Sequence, residues 1–437
     1  MVGKEATLRL ERGAVGSNSA GNRSATLATN RRTSPASQES VRHHNLALVA
    51  GHVVDNGPCS RAQIVRDTGF NKSTVSTLVG DLCALGILAE SPAPTRGSIG
   101  RPPTLVRVSG DHVAALGLEI GVDYVKVAAL DLAGDVRFGE TVENDYAALG
   151  PEAATAALVE LADRALALLS TEGLVAVGVG LGVAGLIDAT GQLRVSYDLG
   201  WSDVDLVGMV RSDLGRPELA IGIYNEADLA AVGSRWTGVG RGFDNFVYVY
   251  GGAAVGAGVI LDGQLFEGSH GFGGQFGHLL IDPDGPRCGC GARGCLVAFV
   301  GKDAVRDVTG IDSWMAQNPG TARIWLDALM ERLRVGDPGP TDAIARVGAS
   351  LAVGIDALVN LLDPEAIIVG GFLAELLPWM NDAITDHLNA RVIGRRKVHY
   401  PVLASTQIYD AAVRGGAAVV LTRVLADPAS ITPLTLN

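Results

Sequence analysis

The chain has 437 residues, 47% of them hydrophobic and 19% charged, so two or three folding units with ordinary globular cores are expected. Its net charge of −12 is unevenly held: residues 1–108 carry thirteen Lys/Arg against seven Asp/Glu, and the remainder twenty-two against forty. A basic head on an acidic body suits nucleic-acid contact by the head alone, and with no apolar run read as long as a membrane span, no membrane partner is expected.

Residues 1–38 hold Arg9, Arg12, Arg23, Arg31 and Arg32 among small polar residues and lack the apolar core of a secretory signal. They read as a disordered basic arm, or as a start placed upstream of the true one. With no signal and five cysteines, a cytoplasmic protein with reduced thiols is expected unless metal holds them.

Residues 39–110 read as a winged helix-turn-helix. Leu46–Val54 has helical apolar spacing and stops at Asn56-Gly57-Pro58. Ser60 can cap a second helix, Arg61–Asp67, and Thr68-Gly69-Phe70-Asn71 is a turn with glycine at the corner. In a third helix, Lys72–Leu82, the residues Val75, Leu78, Val79 and Leu82 face inward, while Lys72, Ser73, Thr74, Ser76 and Thr77 face outward. Short hydroxyl side chains let a helix sit deep in a major groove. Two strands, Gly86–Glu90 and Thr104–Val108, flank Thr95–Pro103, whose Arg96 and Arg101 make a narrow cationic wing suited to a minor groove. Arg61 joins these residues as a candidate DNA contact. The bland alternative is a protein-interaction module.

From residue 111 strands and helices alternate, which argues α/β. Leu116–Gly121, Tyr124–Leu130 and a turn at Ala133-Gly134 are echoed by Phe246–Gly252, Gly256–Leu261 and a turn at Asp262-Gly263. Two such hairpins imply a duplicated lobe with a cleft between, expected at residues 111–241 and 242–425, with a tail at 426–437. Gly-rich hairpins here suit phosphate grip, or are plain hairpins. Tyr224-Asn225-Glu226 opens a helix at a strand end, where polar ligands are commonly held. A helix is expected from near Ala345, and the last helix from Gly415-Gly416.

Three of the five cysteines fall within eight residues, at Cys288, Cys290 and Cys295, shortly after Gly277-His278. With one upstream imidazole they make a four-ligand set for a structural zinc.

With Gly277-His278, this knuckle, Gly182–Asp188, and Asp363-Pro364 with Gly370-Gly371, the chain resembles the ROK family of repressors and sugar kinases. The resemblance spans residues 41 to 425 and includes the winged head of the repressor branch, the one resembling xylose repressors. It implies a two-lobed actin-like (RNase H-like, duplicated) domain, a sugar-binding cleft, dimers or tetramers, and a zinc on His278, Cys288, Cys290 and Cys295. It also implies a sugar-binding set of Asn225, Glu226, Gln275 and His278.

Departures from the kinase pattern at the base and the phosphate loops weigh against phosphotransfer, and two more alter the sugar pocket. Glu226 stands where the family's kinases carry the aspartate base, although xylose-type repressors carry glutamate there too. Asp123 replaces a threonine of the first phosphate loop, and Gly252-Ala253-Ala254 replaces Gly-Thr-Gly in the second. In the sugar pocket, Gln275 replaces a glutamate and Val297 another. The sequence therefore reads as a sugar-responsive regulator, a repressor, that binds a double-stranded DNA operator as a homodimer or homotetramer. Its catalytic machinery is degenerate, with zinc as the cofactor. The alternatives are an active sugar kinase with a DNA-binding head and a DNA-binding regulator with a non-functional pocket.

Overall fold

The computed structural model describes residues 38–92, 104–318 and 324–430. The head comprises α1 (Gln38–Asn56), β1 (Cys59–Ser60), α2 (Arg61–Thr68), α3 (Lys72–Ala84), β2 (Leu88–Pro92) and β3 (Thr104–Val108). Ser60 caps α2 by accepting the Gln63 amide at 3.2 Å, and Gly69 ends it in the left-handed region at φ 73°. Asn71 caps α3, its Oδ1 accepting the Thr74 amide at 2.8 Å, a contact of the kind that contributes about 1 kcal/mol. Val75, Leu78, Val79 and Leu82 are buried. α1 starts eight residues before the expected Leu46. β1 is too short to show alternation in the sequence, yet it pairs with β3 to give the sheet order β1-β3-β2. The wing residues Arg96 and Arg101 lie outside the described residues.

The first lobe contains β4 (Val113–Ile120), β5 (Tyr124–Asp131), β6 (Val136–Glu143), α4 (Tyr146–Leu149), α5 (Pro151–Thr171) and β7 (Val175–Val183). A small sheet follows, of β8 (Leu186–Ile187), β9 (Leu193–Ser196) and β10 (Trp201–Val204), then α6 (Leu206–Leu214), β11 (Ile221–Asn225) and α7 (Glu226–Thr237). The second lobe has β12 (Phe246–Gly251), β13 (Val255–Leu261), β14 (Gln264–Leu265), α8 (Val297–Val300), α9 (Lys302–Thr309), α10 (Ile311–Gln317), α11 (Trp325–Arg334) and α12 (Pro338–Leu362). It continues through β15 (Ala366–Gly371), α13 (Phe372–Arg391) and β16 (Val402–Ala404) to α14 (Ala411–Ala426).

The two main sheets have the same topology. One runs β11-β7-β4-β5-β6 and the other β16-β15-β12-β13-β14. In each, the first strand is central, an antiparallel hairpin lies to one side, and two parallel strands lie to the other. The echo of Gly-rich hairpins in the sequence is thus a duplication of whole sheets.

Two expectations are corrected. Gly415 and Gly416 do not start the last helix; α14 begins at Ala411 and the glycines lie inside it. They are there because α14 packs backbone to backbone: a Cβ on Gly415 would lie 1.7 Å from the Leu229 carbonyl oxygen. α14 also packs on the first lobe's sheet, although its sequence falls in the range expected for the second. The long helix expected from near Ala345 starts at Pro338 instead, capped by Asp337 with proline in its first turn. By length and composition α12 could cross a membrane, a run the sequence reading passed over; half of that stretch is buried within the second lobe, where it packs against α13.

The core of the head is continuous with that of the first lobe. Its buried residues, among them Leu46, Val49, Val53 and Val79, form one cluster with Val113, Ala115 and Leu130 of the first lobe and Leu421, Val424 and Leu425 of α14. The side chain of Arg241, in the turn after α7, donates to the Val54 carbonyl of α1 at 3.1 Å.

Candidate functional site

The cleft floor is built by the two hairpin turns and the start of α7. Asn225 ends β11 and caps α7: its Oδ1 accepts the Ala227 amide at 2.8 Å and its Nδ2 donates to the Gly185 carbonyl at 2.9 Å. The expected sugar ligand is therefore also a structural corner. Glu226, 6% exposed, is the first residue of α7. Burial first, then the carboxylates of Glu119 and Asp198, push its carboxyl well above the ordinary range. It makes no hydrogen bond among the described residues, and the Gly252 backbone of the second lobe lies against it.

A cluster that the sequence did not reveal lies beside it. Glu119, fully buried on β4, accepts the Tyr124 hydroxyl at 2.6 Å and the Tyr250 hydroxyl at 3.4 Å. Its second oxygen has no partner among the described residues. Burial raises its carboxyl, opposed by the Lys126 charge and the two tyrosines. The Tyr124 ring folds back over the first loop, so that a Cβ on Gly121 would lie 2.4 Å from it. Asp123, at the tip of the same loop, pairs across the cleft with Lys302 at 3.0 Å. The ammonium group of Lys126 is held by the Tyr409 carbonyl at 2.6 Å and by Asp410 at 3.2 Å.

Gln275 is half-buried; its carbonyl accepts the His278 amide at 3.1 Å, and no side-chain hydrogen bond of it is found among the described residues. Val297, where the family's pattern has glutamate, packs against Gly277, within 3.4 Å of a Cβ built there. His278 sits 6.1 Å, edge to face, from the Tyr197 ring of the first lobe.

His278, Cys288, Cys290 and Cys295 converge, with their four ligand atoms all within 4.8 Å of one another. His278 Nδ1 is 3.8 Å from the Cys288 sulfur, and the Cys290 and Cys295 sulfurs are 3.8 Å apart. Tetrahedral zinc with bonds of about 2.3 Å to sulfur needs sulfur–sulfur edges of about 3.8 Å, so this donor set fits the metal. The Ala292 amide lowers the Cys290 thiol, while burial and the neighbouring thiols push Cys295 up to about 12. Isolated bridges Leu280–Cys295 and Arg287–Arg293 staple the knuckle.

On the head, Lys72, Ser73, Ser76 and Thr77 are exposed and Thr74 is half-buried. Arg61 is held at the surface: its Nε donates to Glu90 at 2.8 Å and its Nη1 to the carbonyl and hydroxyl of Ser76, each at 2.9 Å. It braces α3 against the sheet.

A sequence profile of the ROK family matches residues 115–423. The xylose repressor of Bacillus subtilis is 27% identical over 393 residues, covering 89% of this chain and 98% of that protein. The glucokinase of Thermotoga maritima is 29% identical over 263 residues, 56% of this chain and 80% of that one. The crystal structure of a ROK family transcriptional regulator, a homologue of the E. coli MLC protein, superposes with a TM-score of 0.71 at 21% identity over 89% of this chain and 97% of that one. The repressor match runs nearly end to end, head included, whereas the glucokinase match covers little more than half of the chain. This chain belongs to the ROK family, with that family's mixed α/β, actin-like sugar-kinase fold.

Proposed function

We propose that this protein is a sugar-responsive, DNA-binding transcriptional repressor whose kinase-like cleft no longer transfers phosphate. The observation that carries the reading is α3: one stripe, Val75, Leu78, Val79 and Leu82, is buried, and the opposite face offers Lys72, Ser73, Ser76 and Thr77 to solvent. The order of three helices and a three-stranded sheet supports a winged helix-turn-helix, in which such a helix would enter the major groove. Arg96 and Arg101 would serve the minor groove from the wing. Arg61, committed to Glu90 and Ser76, would orient α3 without reading bases. Two heads on a homodimer or homotetramer would read a palindromic operator.

Glu226, Gln275, Asn225 and His278 would receive the hydroxyls of a sugar. The side chains of Glu226 and Gln275 have no internal partners to give up among the described residues, and a neutral carboxyl can both donate and accept. Zinc, held by His278, Cys288, Cys290 and Cys295, would supply a structural tie rather than chemistry, fixing the imidazole beside the pocket. The floor supports a loss of phosphotransfer: Tyr124 lies over Gly121, Glu119 bonds two tyrosines, and Asp123 is paired with Lys302. These contacts support the reading that the loops no longer grip phosphates.

One observation favours the second reading, an active kinase: Glu226 keeps a carboxylate at the start of α7, in the cleft. The two readings separate in paired assays. A gel shift with duplex from upstream of its own gene, with and without D-xylose or D-glucose, should show sugar-dependent binding. ATP turnover with the same sugars should stay at background, and sugar-dependent turnover would replace the first reading by the second.

A further inference from the structure

We infer that occupancy of the cleft is relayed to the head along α7, and that Arg241 is the positioning residue joining the two; this rests on the regulator reading above. α7 begins in the cleft with Glu226 and ends at Thr237, followed by a short 3-10 turn, Val239–Gly242, that carries Arg241. The Arg241 guanidinium donates to the Val54 carbonyl at 3.1 Å. Val54 lies in the last turn of α1, whose final carbonyls have no partner within the helix and carry the negative end of its dipole. One side chain thus ties the far end of the cleft helix to the near end of the head.

The path between them is stiff. α7 and α14 meet through backbone: a Cβ on Gly233 would lie 2.2 Å from the Ala411 carbonyl oxygen, and one on Gly415 1.7 Å from that of Leu229. At these two crossings glycine meets a carbonyl directly, so a shift there cannot be absorbed by a change of rotamer. α7 also presses on the second lobe, where a Cβ on Gly258 would lie 2.4 Å from the Ala227 carbonyl oxygen. Movement of the second lobe against the first must therefore move α7 as a body. The last turns of α14 share the core that holds α1, so α14 serves as the rail on which α7 and the head both rest.

The test uses the full-length protein, with a duplex it has selected from a random library and with D-xylose and D-glucose as probes. Operator affinity is read by fluorescence anisotropy with and without sugar, and sugar affinity by calorimetry with and without DNA. Arg241→Ala should cut the sugar-induced fold-change in operator affinity to less than about a third of the parent's, from a coupling typically about 5–150-fold. The DNA-induced change in sugar affinity must shrink by the same factor, because coupling is reciprocal. Arg241→Lys keeps a cation and a donor and should restore most of the response. Arg241 is exposed, so the alanine variant should fold, and its melting curve checks this. A purely structural role would lower stability and leave the fold-change alone. An Arg241→Ala protein that responds to sugar like the parent overturns the inference. A parent that ignores DNA, or ignores both sugars, overturns the regulator reading itself, and that failure shows before any variant is made.

Discussion

The same chemical change, glycine to alanine, should have opposite signs at Gly415 and Gly51. At Gly415 the new methyl would stand 1.7 Å from the Leu229 carbonyl oxygen. Carbon–oxygen contact needs about 3.3 Å, so α7 and α14 must part by about 1.6 Å. A radial gap of about 0.5–1 Å already forfeits a quarter to a half of the dispersion attraction. The seam is lined by Leu229, Ala230, Ala411 and Ala412, all fully buried, so little can relax around it. Overpacking ordinarily costs about 1–3 kcal/mol, and a clash with backbone belongs at the top of that range or above it. At Gly51, inside α1, the methyl meets nothing, and relief of backbone entropy should stabilise by about 0.5–1 kcal/mol. Urea denaturation followed by circular dichroism reads both. If Gly415→Ala shifts the midpoint by less than about 1 kcal/mol equivalent, the helices are not in backbone contact and the relay through them has no basis.

Other outcomes follow from the sites. Cys290→Ser removes a ligand from the knuckle; the parent should keep a zinc through dialysis against a mild chelator and the variant should lose it, as metal analysis would show. Lys72→Ala should weaken binding to any duplex and flatten the slope of log affinity against log salt by about 0.9, the share of one phosphate contact. Asp188 is partly buried, which raises its carboxyl, but hydrogen bonds from Thr190, Arg194 and the Gln192 and Thr190 amides outweigh this and hold it at about 2. A carboxyl depressed below its unfolded value of about 3.9 stabilises above that pH and ceases to do so as pH falls toward the folded value. Asp188→Asn should therefore lower the urea midpoint at pH 6 and lose most of that deficit near pH 2.

What was legible in the sequence was whatever depends on near neighbours. Ser60 and Gly69 bracket α2 within a dozen residues, and the spacing of Val75, Leu78, Val79 and Leu82 sets the buried face of α3. The three cysteines of the knuckle lie within eight residues, so one loop gathers them. What was not legible is set by tertiary approach. Tyr250 meets Glu119 from 131 residues away, and Lys302 meets Asp123 from 179. No local pattern marks either pair. Asp123 reads in the sequence as a threonine replaced in the first phosphate loop; the fold supplies its cation, Lys302, from the other lobe. Nor does any local pattern show that Arg61, a cation on a basic head, is held by Glu90 and Ser76. Glycine misled at Gly415-Gly416, because its usual meaning at a helix end hid its other use, close approach of two backbones.

That second use explains why head, lobes and cleft are hard to treat as separate bodies. α7 leaves the first lobe's last strand yet covers β12 and β13 of the second, and α14 leaves the second lobe yet lies on β4 and β7 of the first. The crossing is closest where glycine faces a carbonyl: Gly117 against Val413 at 1.7 Å and Gly180 against Gly416 at 2.1 Å, each measured from a Cβ built on the first residue. Side-chain packing between lobes could slide by repacking rotamers, but backbone contact cannot. Hence any change in the angle between the lobes must be taken up at the cleft floor, where the lobes meet through side-chain polar contacts. The Tyr250 hydroxyl reaches Glu119 at only 3.4 Å, and the Lys302–Asp123 pair is exposed and therefore weak. The floor is the compliant part of the molecule and the helices are the rigid part, an ordering that suits a cleft whose closure must be felt at a distance.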